Sequence, residues 1–341
     1  MDSTIPDLSD GRIGGHKFRW LKERLEEYSD RRFKIVAAHH HLVPLPDTGR
    51  ERNVLFNAGD VLDLLLRHGG VTLYTCGHKH VPNVYHVEDL VIDNAGCTSC
   101  KKTRKGDVNS YNIIELYDDG RVRVTIRRVT GGDEITKEHK PVKPKIFVPS
   151  GRRLFRIVQM SESNVSDRVY FRRKTLENVV RMINERLRPD LVVHNGDMVD
   201  AGIERYYERA YEYYKLVKPQ KILVPGHNDI TYLGHELFQE YFGEPEVLEL
   251  GGDIVIIPVL SAQYETPIGV VGRMGQKKLR NTLREYEGKF RIVVMHHNVV
   301  PVPKSREIGF LEDAGGDVLK VLTDEGTELV LTGHGGNASG G

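Results

Sequence analysis

Residues 191–197 read Leu-Val-Val-His-Asn-Gly-Asp, a short apolar run that stops at a turn. A run of this length bounded by turn residues predicts a buried strand. Helical patterns at 174–187 and 205–216 separate it from two further apolar runs, at 154–160 and 221–224. Alternation of strands and helices predicts an α/β domain with crossover connections between its strands.

Side chains that can bind metal ions follow each of these three strands. Glu162 and Asn164 follow the first strand, Asp197 follows the second, and His227 and Asn228 follow the third. In an open α/β sheet, ligands bind just beyond the carboxyl ends of the strands. We therefore expect these side chains to lie along one rim.

A second group of candidate ligands lies near the beginning of the chain. Residues 75–82 read Thr-Cys-Gly-His-Lys-His-Val-Pro, so His78 and His80 follow an apolar run and a glycine. Imidazoles at i and i+2 fall on the same side of an extended chain and can converge on one ion. An isolated His-x-His is also compatible with two solvated loop histidines. Another strand, at 33–38, ends at His39 and His40.

The chain repeats part of itself at an offset of about 257 positions, which is the length of a whole domain. The stretch from His296 to Pro301 resembles His39 to Pro44, and the Gly-His pair at His334 resembles the pair at His78. Short β-type runs from 84 to 129 follow the first copy, and a polar, Pro-punctuated linker follows them at 137–149. We therefore divide the chain into 1–150, 151–257 and 258–341, where the first and third parts are copies of one half-domain.

The composition is that of an ordinary globular protein: 341 residues, 39% hydrophobic, 28% charged and a net charge of +1. This charge does not indicate nucleic acid or an anionic membrane as an obligatory partner. The start of the chain has no basic and apolar leader, and no apolar run approaches the ~20 residues that span a bilayer. We expect a cytoplasmic protein.

The cysteines suggest two readings. Cys97 and Cys100 form one Cys-x-x-Cys pair, which could be redox-active or metal-binding, but no second pair completes a four-cysteine zinc site. The pattern favours buried or incidental thiols.

The motifs taken together resemble the calcineurin-like metallophosphoesterase family, whose pattern is Asp-x-His, Gly-Asp, Gly-Asn-His-Asp/Glu, His and Gly-His-x-His. The resemblance covers nearly the whole chain in permuted order. It implies an α/β fold with two β-sheets packed as a sandwich flanked by helices. It also implies a dinuclear centre of Mn, Fe or Zn in which a metal-bound hydroxide attacks a phosphate ester.

The resemblance assigns roles to individual residues. Asp197 matches the bridging carboxylate, His80 would complete the first metal site, and His39 or His40 with His78 matches the second site. Arg50 and Arg52 could face the phosphate, since a guanidinium fork suits it, although solvated arginines would explain them as well. The second copy offers an alternative ligand set, at His296, His297 and His334.

Three departures from the family pattern bear on activity. Glu162 and Asn164 replace an aspartate and a histidine, which should weaken the first site. His227 and Asn228 are inverted, so that Asn228 cannot give a proton, while His227 could reach the metal or be structural. Gly336 stands where the second copy would need the partner of His80.

Two hypotheses follow for the assembly of the domain and two for its function. Residues 151–257 can be completed by 1–150, as a circular permutation with intact histidines, or by 258–341, with contiguous but incomplete motifs. We favour the permutation for the metal-ligand set, because only 1–150 also supplies the last β-strands. The surplus copy could then swap into a second molecule. The functional alternatives are a metal-dependent phosphodiesterase and a catalytically inactive binding or assembly module.

Overall fold

The computed structural model describes residues 1–5, 8–48, 54–101, 103, 108–132, 134–140, 155–303 and 311–334. Arg50, Arg52 and Gly336 lie outside these ranges. The helices are α1 Gly15–Glu27, α2 Ala58–Asp63, α3 Arg173–Met182, α4 Glu204–Tyr214, α5 Gly234–Phe242, α6 Arg273–Glu285 and α7 Gly315–Asp324. Wider helical turns extend α2 over Leu64–Gly69 and α3 over Ile183–Leu187.

The strands divide into two groups along the chain. The first group is β1 Ile35–Ala37, β2 Leu73–Cys76, β3 Asn83–Val87, β4 Leu90–Asn94, β5 Ser110–Leu116, β6 Val122–Arg128 and β7 Ile135–His139. The second group is β8 Ile157–Met160, β9 Leu191–His194, β10 Gln220–Leu223, β11 Leu248–Leu250, β12 Ile254–Pro258, β13 Gly269–Val270, β14 Phe290–Val294, β15 Leu311–Asp313 and β16 Leu329–Leu331. After residue 155, α3 and α4 connect the parallel strands β8, β9 and β10, and α6 and α7 lie between the parallel strands β12, β14 and β16, which confirms the predicted α/β class.

Two sheets form a sandwich in the second part of the chain. One sheet has the order β10-β9-β8, and its strands are parallel. The other has the order β11-β12-β14-β16, with β12, β14 and β16 parallel. Leu191 and Val193 of the first sheet pack against Ile256 and Ile292 of the second in one buried apolar cluster. The predicted two-sheet sandwich is therefore confirmed.

Helices cover the outer faces of this sandwich. The outer face of the β8–β10 sheet packs against α3, α4 and α5, where Tyr207 and Tyr214 are fully buried. The other outer face, which includes Val255 and Val293, packs against α6 and α7. The apolar spacing of these helices is the amphipathic pattern that predicts burial of one side.

The first copy of the repeat packs onto the second. Its four-stranded sheet, β1-β2-β4-β3, and helices α1 and α2 share one apolar core with α6, α7, β12 and β14. The contacts are reciprocal: a Cβ on Gly59 would lie 2.1 Å from Val302 O, and one on Gly316 would lie 2.0 Å from the carbonyl carbon of Leu45. Equivalent residues thus contact each other in both directions, as across a two-fold axis.

This packing corrects the expected circular permutation, which is not confirmed. Residues 155–334 bring together a half-domain and the copy that follows it directly, through the parallel pairing of β12 with β14. Elements that are consecutive in sequence usually lie side by side in the fold. The intact histidines of the first copy, in contrast, do not indicate which strands pair in a sheet. The three-part division of the chain and the domain swap stay predictions.

Candidate metal centre

Five strands of the sandwich end at the same rim, and a candidate ligand follows each of them. Glu162 follows β8, Asp197 follows β9 and His227 follows β10. His296 follows β14 and His334 follows β16, in the opposite sheet. The carboxyl ends of parallel strands share one edge of a sheet, so both sheets direct their loops into one site.

Four of these side chains converge. One ligand atom from each of Glu162, Asp197, His296 and His334 lies within 4.8 Å of the others. His227 and His297 form an overlapping group with His296 and His334 at the same spacing. His334, rather than His78, is thus the histidine beside Asp197, and this corrects the expectation that His78 and His80 complete the site.

Asp197 occupies the centre of the group and is completely buried. Its Oδ1 accepts a hydrogen bond from the Asn228 backbone at 3.0 Å and lies 3.6 Å from His296 Nε2. Its Oδ2 accepts a hydrogen bond from Asn228 Nδ2 at 3.1 Å and lies 3.2 Å from His227 Nδ1. The two oxygens therefore face different histidines, as a bridging carboxylate would require.

His296 is oriented by the backbone of the neighbouring strand end. Its Nδ1 donates to the Asn195 carbonyl at 2.6 Å, which leaves Nε2 unprotonated in the neutral ring. His334 Nδ1 lies 3.0 Å from that Nε2, and His227 Nδ1 lies 3.2 Å from it. A fixed tautomer with its lone pair directed into a cluster is the usual state of a metal-ligating histidine.

His297 differs from its neighbour because both of its ring nitrogens have partners outside the cluster. Nε2 donates to the Pro267 carbonyl at 3.1 Å, and Nδ1 accepts from Ser261 Oγ at 3.0 Å. Of the three histidines proposed for the second copy, His296 and His334 therefore have the geometry of ligands, whereas His297 fixes the loop.

Glu162 and Asn164 lie at the edge of the same group. Asn164 Nδ2 donates to Glu162 Oε2 at 3.3 Å, and Asn164 Oδ1 accepts from Asn228 Nδ2 at 3.1 Å. Glu162 Oε1 is buried and has no hydrogen-bond partner among the described residues. A buried carboxylate oxygen directed at a histidine cluster is a site that a cation would satisfy.

The backbone around these residues adopts unusual conformations. Glu162, Asn164, Asp197 and His334 all have φ between 45° and 58°, in the left-handed region. Gly196 has φ 94°, and a Cβ there would lie 2.5 Å from Gly226 N. Left-handed residues are uncommon outside glycine and concentrate at functional sites.

Two supporting residues, Asp229 and Asn195, are important although the sequence analysis assigned them no role. Asp229 accepts hydrogen bonds from the backbones of Val199 and Gly226, and so holds the two ligand loops together. Asn195 donates to the Met295 and Leu331 carbonyls across the sandwich. In the sequence, the signal that could have identified Asp229 and Asn195 is their place in the turn motifs that contain Asn228 and Asp197.

Burial sets the charge state of the site. Burial raises the pKa of the Asp197 carboxyl well above its usual range, and the nearby Asp229 and Glu162 carboxyls raise it further. Burial also lowers the pKa of His334 to about 4 and that of His296 well below its usual value. Buried carboxylates that repel each other and neutral imidazoles are both stabilised by a bound cation.

These residues fit a divalent metal ion. Among the described residues, no lysine or arginine pairs with Asp197; the donors around its carboxylate are the imidazoles of His227 and His296 and the amide groups of Asn228. Oxygen and imidazole donors together suit Mn, Fe or Zn.

The other predicted ligands lie in the first copy, in two separate groups. His39, His40 and His78 form one group, in which His39 Nε2 lies 3.0 Å from His78 Nδ1. His40, like His297, has both nitrogens engaged, with Ser3 and Ser9. His80 does not join this group and lies beside Cys97 and Cys100.

Comparisons with known proteins agree with this arrangement. A sequence model of the calcineurin-like phosphoesterases matches residues 155–336, which include every residue of the converging group. Among the described residues, no helix is long and apolar enough to cross a bilayer.

Similar proteins carry related names. The 3′,5′-cyclic adenosine monophosphate phosphodiesterase CpdA of Haemophilus influenzae is 24% identical over 140 residues, which are 38% of this chain and 49% of that protein. A protein of Coxiella burnetii, named as a probable cyclic nucleotide phosphodiesterase, is 22% identical over 159 residues, or 46% of this chain and 64% of that protein. The solved structure of PhoD is 10% identical, with a TM-score of 0.36, and the alignment covers 63% of this chain and 56% of PhoD.

The chain thus spans about half the length of the Haemophilus influenzae relative that it matches. The family model covers more than half of the chain, and the matched segment contains the five strand ends that meet at the centre. The chain belongs to the calcineurin-like phosphoesterase family.

Proposed function

We propose that residues 155–334 form a metal-dependent phosphoesterase that hydrolyses phosphodiesters. The observation that supports this most is the convergence of Glu162, Asp197, His296 and His334 at the strand ends of one sandwich. The relatives named as cyclic nucleotide phosphodiesterases point to a phosphodiester as the substrate class. The matched segment covers only part of each relative, so the substrate is part of the proposal.

Each residue of the centre has a proposed role. Asp197 would bridge two divalent cations, because Oδ1 faces His296 and Oδ2 faces His227. His296 and His334 would complete one site, and Glu162 with Asn164 would contribute oxygens to the other. A divalent cation held there neutralises charge on the phosphoryl oxygens and activates water for attack.

His227 and Asn228 have different proposed roles. The His227 side chain is 21% exposed, whereas those of Asp197 and His296 are at most 1% exposed, so His227 meets solvent where a leaving group would depart. We assign His227 to proton transfer, a contribution of roughly 10²–10⁴ in rate. Asn228 positions the carboxylate, because its backbone and side chain both donate to Asp197.

The internal repeat supplies a matched control for the test. Hydrolysis of bis-p-nitrophenyl phosphate with added Mn²⁺ would be measured for the unmodified chain and for Asp197→Ala, His296→Ala and His39→Ala. We expect the first two substitutions to lower the rate at least about 10²-fold, since each removes a ligand. His39 is the first-copy equivalent of His296, and its loss should change the rate less than about twofold.

Equal rates for the unmodified chain and Asp197→Ala would reject the proposal. Equal losses in His39→Ala and His296→Ala would show that both copies contribute to one site. Cyclic adenosine monophosphate would be assayed under the same conditions, because it is the substrate in the name of one relative.

The second candidate function is an inactive binding or assembly module. The hydrogen bonds that join Asn228 to Asn164 and Asp197 favour it, since they occupy oxygens that metal ions would otherwise bind. Elemental analysis discriminates the two functions. Two tightly bound metals per chain, accompanied by hydrolysis, would exclude the inactive module.

A further inference from the structure

We propose that His80, Cys97 and Cys100 form a binding site for a thiophilic divalent cation of the zinc class, separate from the phosphoesterase centre. One ligand atom of each residue lies within 4.8 Å of the others. Cys100 Sγ lies 3.5 Å from His80 Nδ1. Thiolate sulfur with imidazole nitrogen is the donor set of zinc sites.

Two adjacent parallel strands position the three side chains. The loop that carries His80 follows β2, the loop that carries the cysteines follows β4, and Cys76 pairs with Asn94 at the last position of the register. Asn94 Nδ2 also donates to the Val81 carbonyl, next to His80. The histidine is thus fixed relative to the strand that leads to the cysteines.

Hydrogen bonds shape the cysteine loop around sulfur. The Cys100 backbone N–H donates to Cys97 Sγ at 3.0 Å. Asn109 Nδ2 donates to the carbonyls of Cys97 and Cys100, at 3.0 and 2.9 Å. A backbone donor directed at sulfur stabilises a thiolate, and one side chain that holds both ends of the loop keeps the sulfurs on the same side.

In the first copy, His80 belongs to this cysteine site and not to a group like the phosphoesterase centre of the second copy. His39 and His78 contact each other, and the group that they form with His40 contains no carboxylate among the described residues. His80 points instead to the two sulfurs. Its repeat equivalent in sequence is Gly336, so the site belongs to the first copy alone.

The two sulfurs have two alternative states. The structure shows Cys97 and Cys100 joined as a disulfide. Reduction adds two electrons and two protons and gives two thiols; in the experiment a phosphine supplies the electrons, and water supplies the two protons and the oxygen of the phosphine oxide that forms. Binding of one divalent cation then releases the two thiol protons, because thiolates are the ligands. His80 supplies the third donor, and water can occupy the fourth tetrahedral position.

The test is a Co²⁺ titration of the full chain after phosphine reduction and removal of excess reductant without oxygen. Thiolate ligation gives sulfur-to-cobalt charge-transfer absorbance in the near ultraviolet, which the nitrogen and oxygen ligands of the phosphoesterase centre cannot produce. We expect one equivalent to produce this absorbance, and added Zn²⁺ to remove it. Thiol titration should count three thiols before the metal is added, since Cys76 is the third.

Variants identify the ligands and control for misfolding. Cys97→Ser and Cys100→Ser should each lose at least half of the absorbance, and His80→Ala should weaken Co²⁺ binding at least about tenfold. His296→Ala and Cys76→Ala are the controls and should retain the absorbance. Absence of the band in the reduced chain, a band unaffected by both serine variants, or a count of one thiol after reduction would each overturn the proposal. If the phosphodiesterase assay fails while the cobalt band forms, only the proposed function is rejected.

Discussion

His296 and His297 are neighbours in sequence, yet their ring nitrogens have different partners. His296 directs Nε2 into the cluster, whereas His297 uses both nitrogens in the loop, with Pro267 and Ser261. We predict that His296→Ala lowers Mn²⁺ affinity at least about tenfold with little loss of stability. His297→Ala should keep the metal stoichiometry and lose about 1–3 kcal/mol of stability, because it leaves buried groups unpaired.

Isothermal titration with Mn²⁺ and urea unfolding of the metal-free variants separate these effects. The assignment would be wrong if His297→Ala abolished binding while His296→Ala did not. The sequence could identify both histidines as candidates, because they follow an apolar strand. It could not separate them, since the partners of His297 come from a loop about 30 residues away in the chain.

His194 gives a prediction about pH. It is completely buried, and burial lowers the pKa of its imidazole to about 3. The unfolded chain takes up a proton near pH 6.5 that the folded chain does not, so His194 makes stability fall as pH falls from about 6.5 towards 3. Between pH 7 and pH 5 this amounts to about 2 kcal/mol.

Replacement of His194 by Gln removes this titration. We therefore expect the free energy of unfolding of His194→Gln to fall by about 2 kcal/mol less than that of the unmodified chain over the same interval. Urea unfolding of metal-free protein at pH 7, 6 and 5 measures the difference in slope. Parallel curves for the two proteins would show that His194 is protonated in the folded state.

At the scale of elements, the turn after β9 determines whether the site can form. Gly196 has φ 94°, and a Cβ there would lie 2.5 Å from Gly226 N and 2.7 Å from His296 Nδ1. Gly288 has a similar φ of 87° but open space around it. Both glycines have a positive φ that disfavours a residue with a Cβ, but only at Gly196 would the Cβ also contact neighbouring atoms closely.

Alanine substitutions at these two glycines should therefore differ. Gly288→Ala should cost about 1–2 kcal/mol, the usual cost of a left-handed residue with a Cβ. Gly196→Ala should cost at least about 1 kcal/mol more and should also lower Mn²⁺ affinity, because it displaces the Gly226 loop and His296. Urea unfolding and Mn²⁺ titration of both variants check this, and equal losses in both would contradict it.

The strands and helices were more predictable than their docking. The apolar runs at 154–160, 191–194 and 221–224 and the repeat itself are local patterns, and the structure confirms these strands as β8, β9 and β10. The prediction that the first copy completes the site rested on its intact histidines and on the β-type runs at 84–129, which only that copy supplies. Sheet pairing decided otherwise, because β12 and β14 are close in sequence and a short connection costs little entropy.

At the scale of the whole molecule, the repeat places two equivalent isoleucines, Ile35 and Ile292, in different environments. Ile35 of β1 pairs with Leu73 of β2, and Ile292 of β14 pairs with Leu329 of β16. β1 is an edge strand, whereas β14 is interior and also pairs with β12. Ile292 is therefore 2% exposed inside the sandwich, while Ile35 is 50% exposed.

The same substitution at these two positions should reveal the difference between the copies. Ile292→Ala should cost about 2–5 kcal/mol, because it leaves a cavity between the two sheets. Ile35→Ala should cost less than about 1 kcal/mol, since half of its side chain already meets water. Urea unfolding of both variants at one pH, with and without Mn²⁺, measures the two costs. Similar losses would show that Ile35 is as well covered in solution as Ile292, and would contradict the difference between the copies.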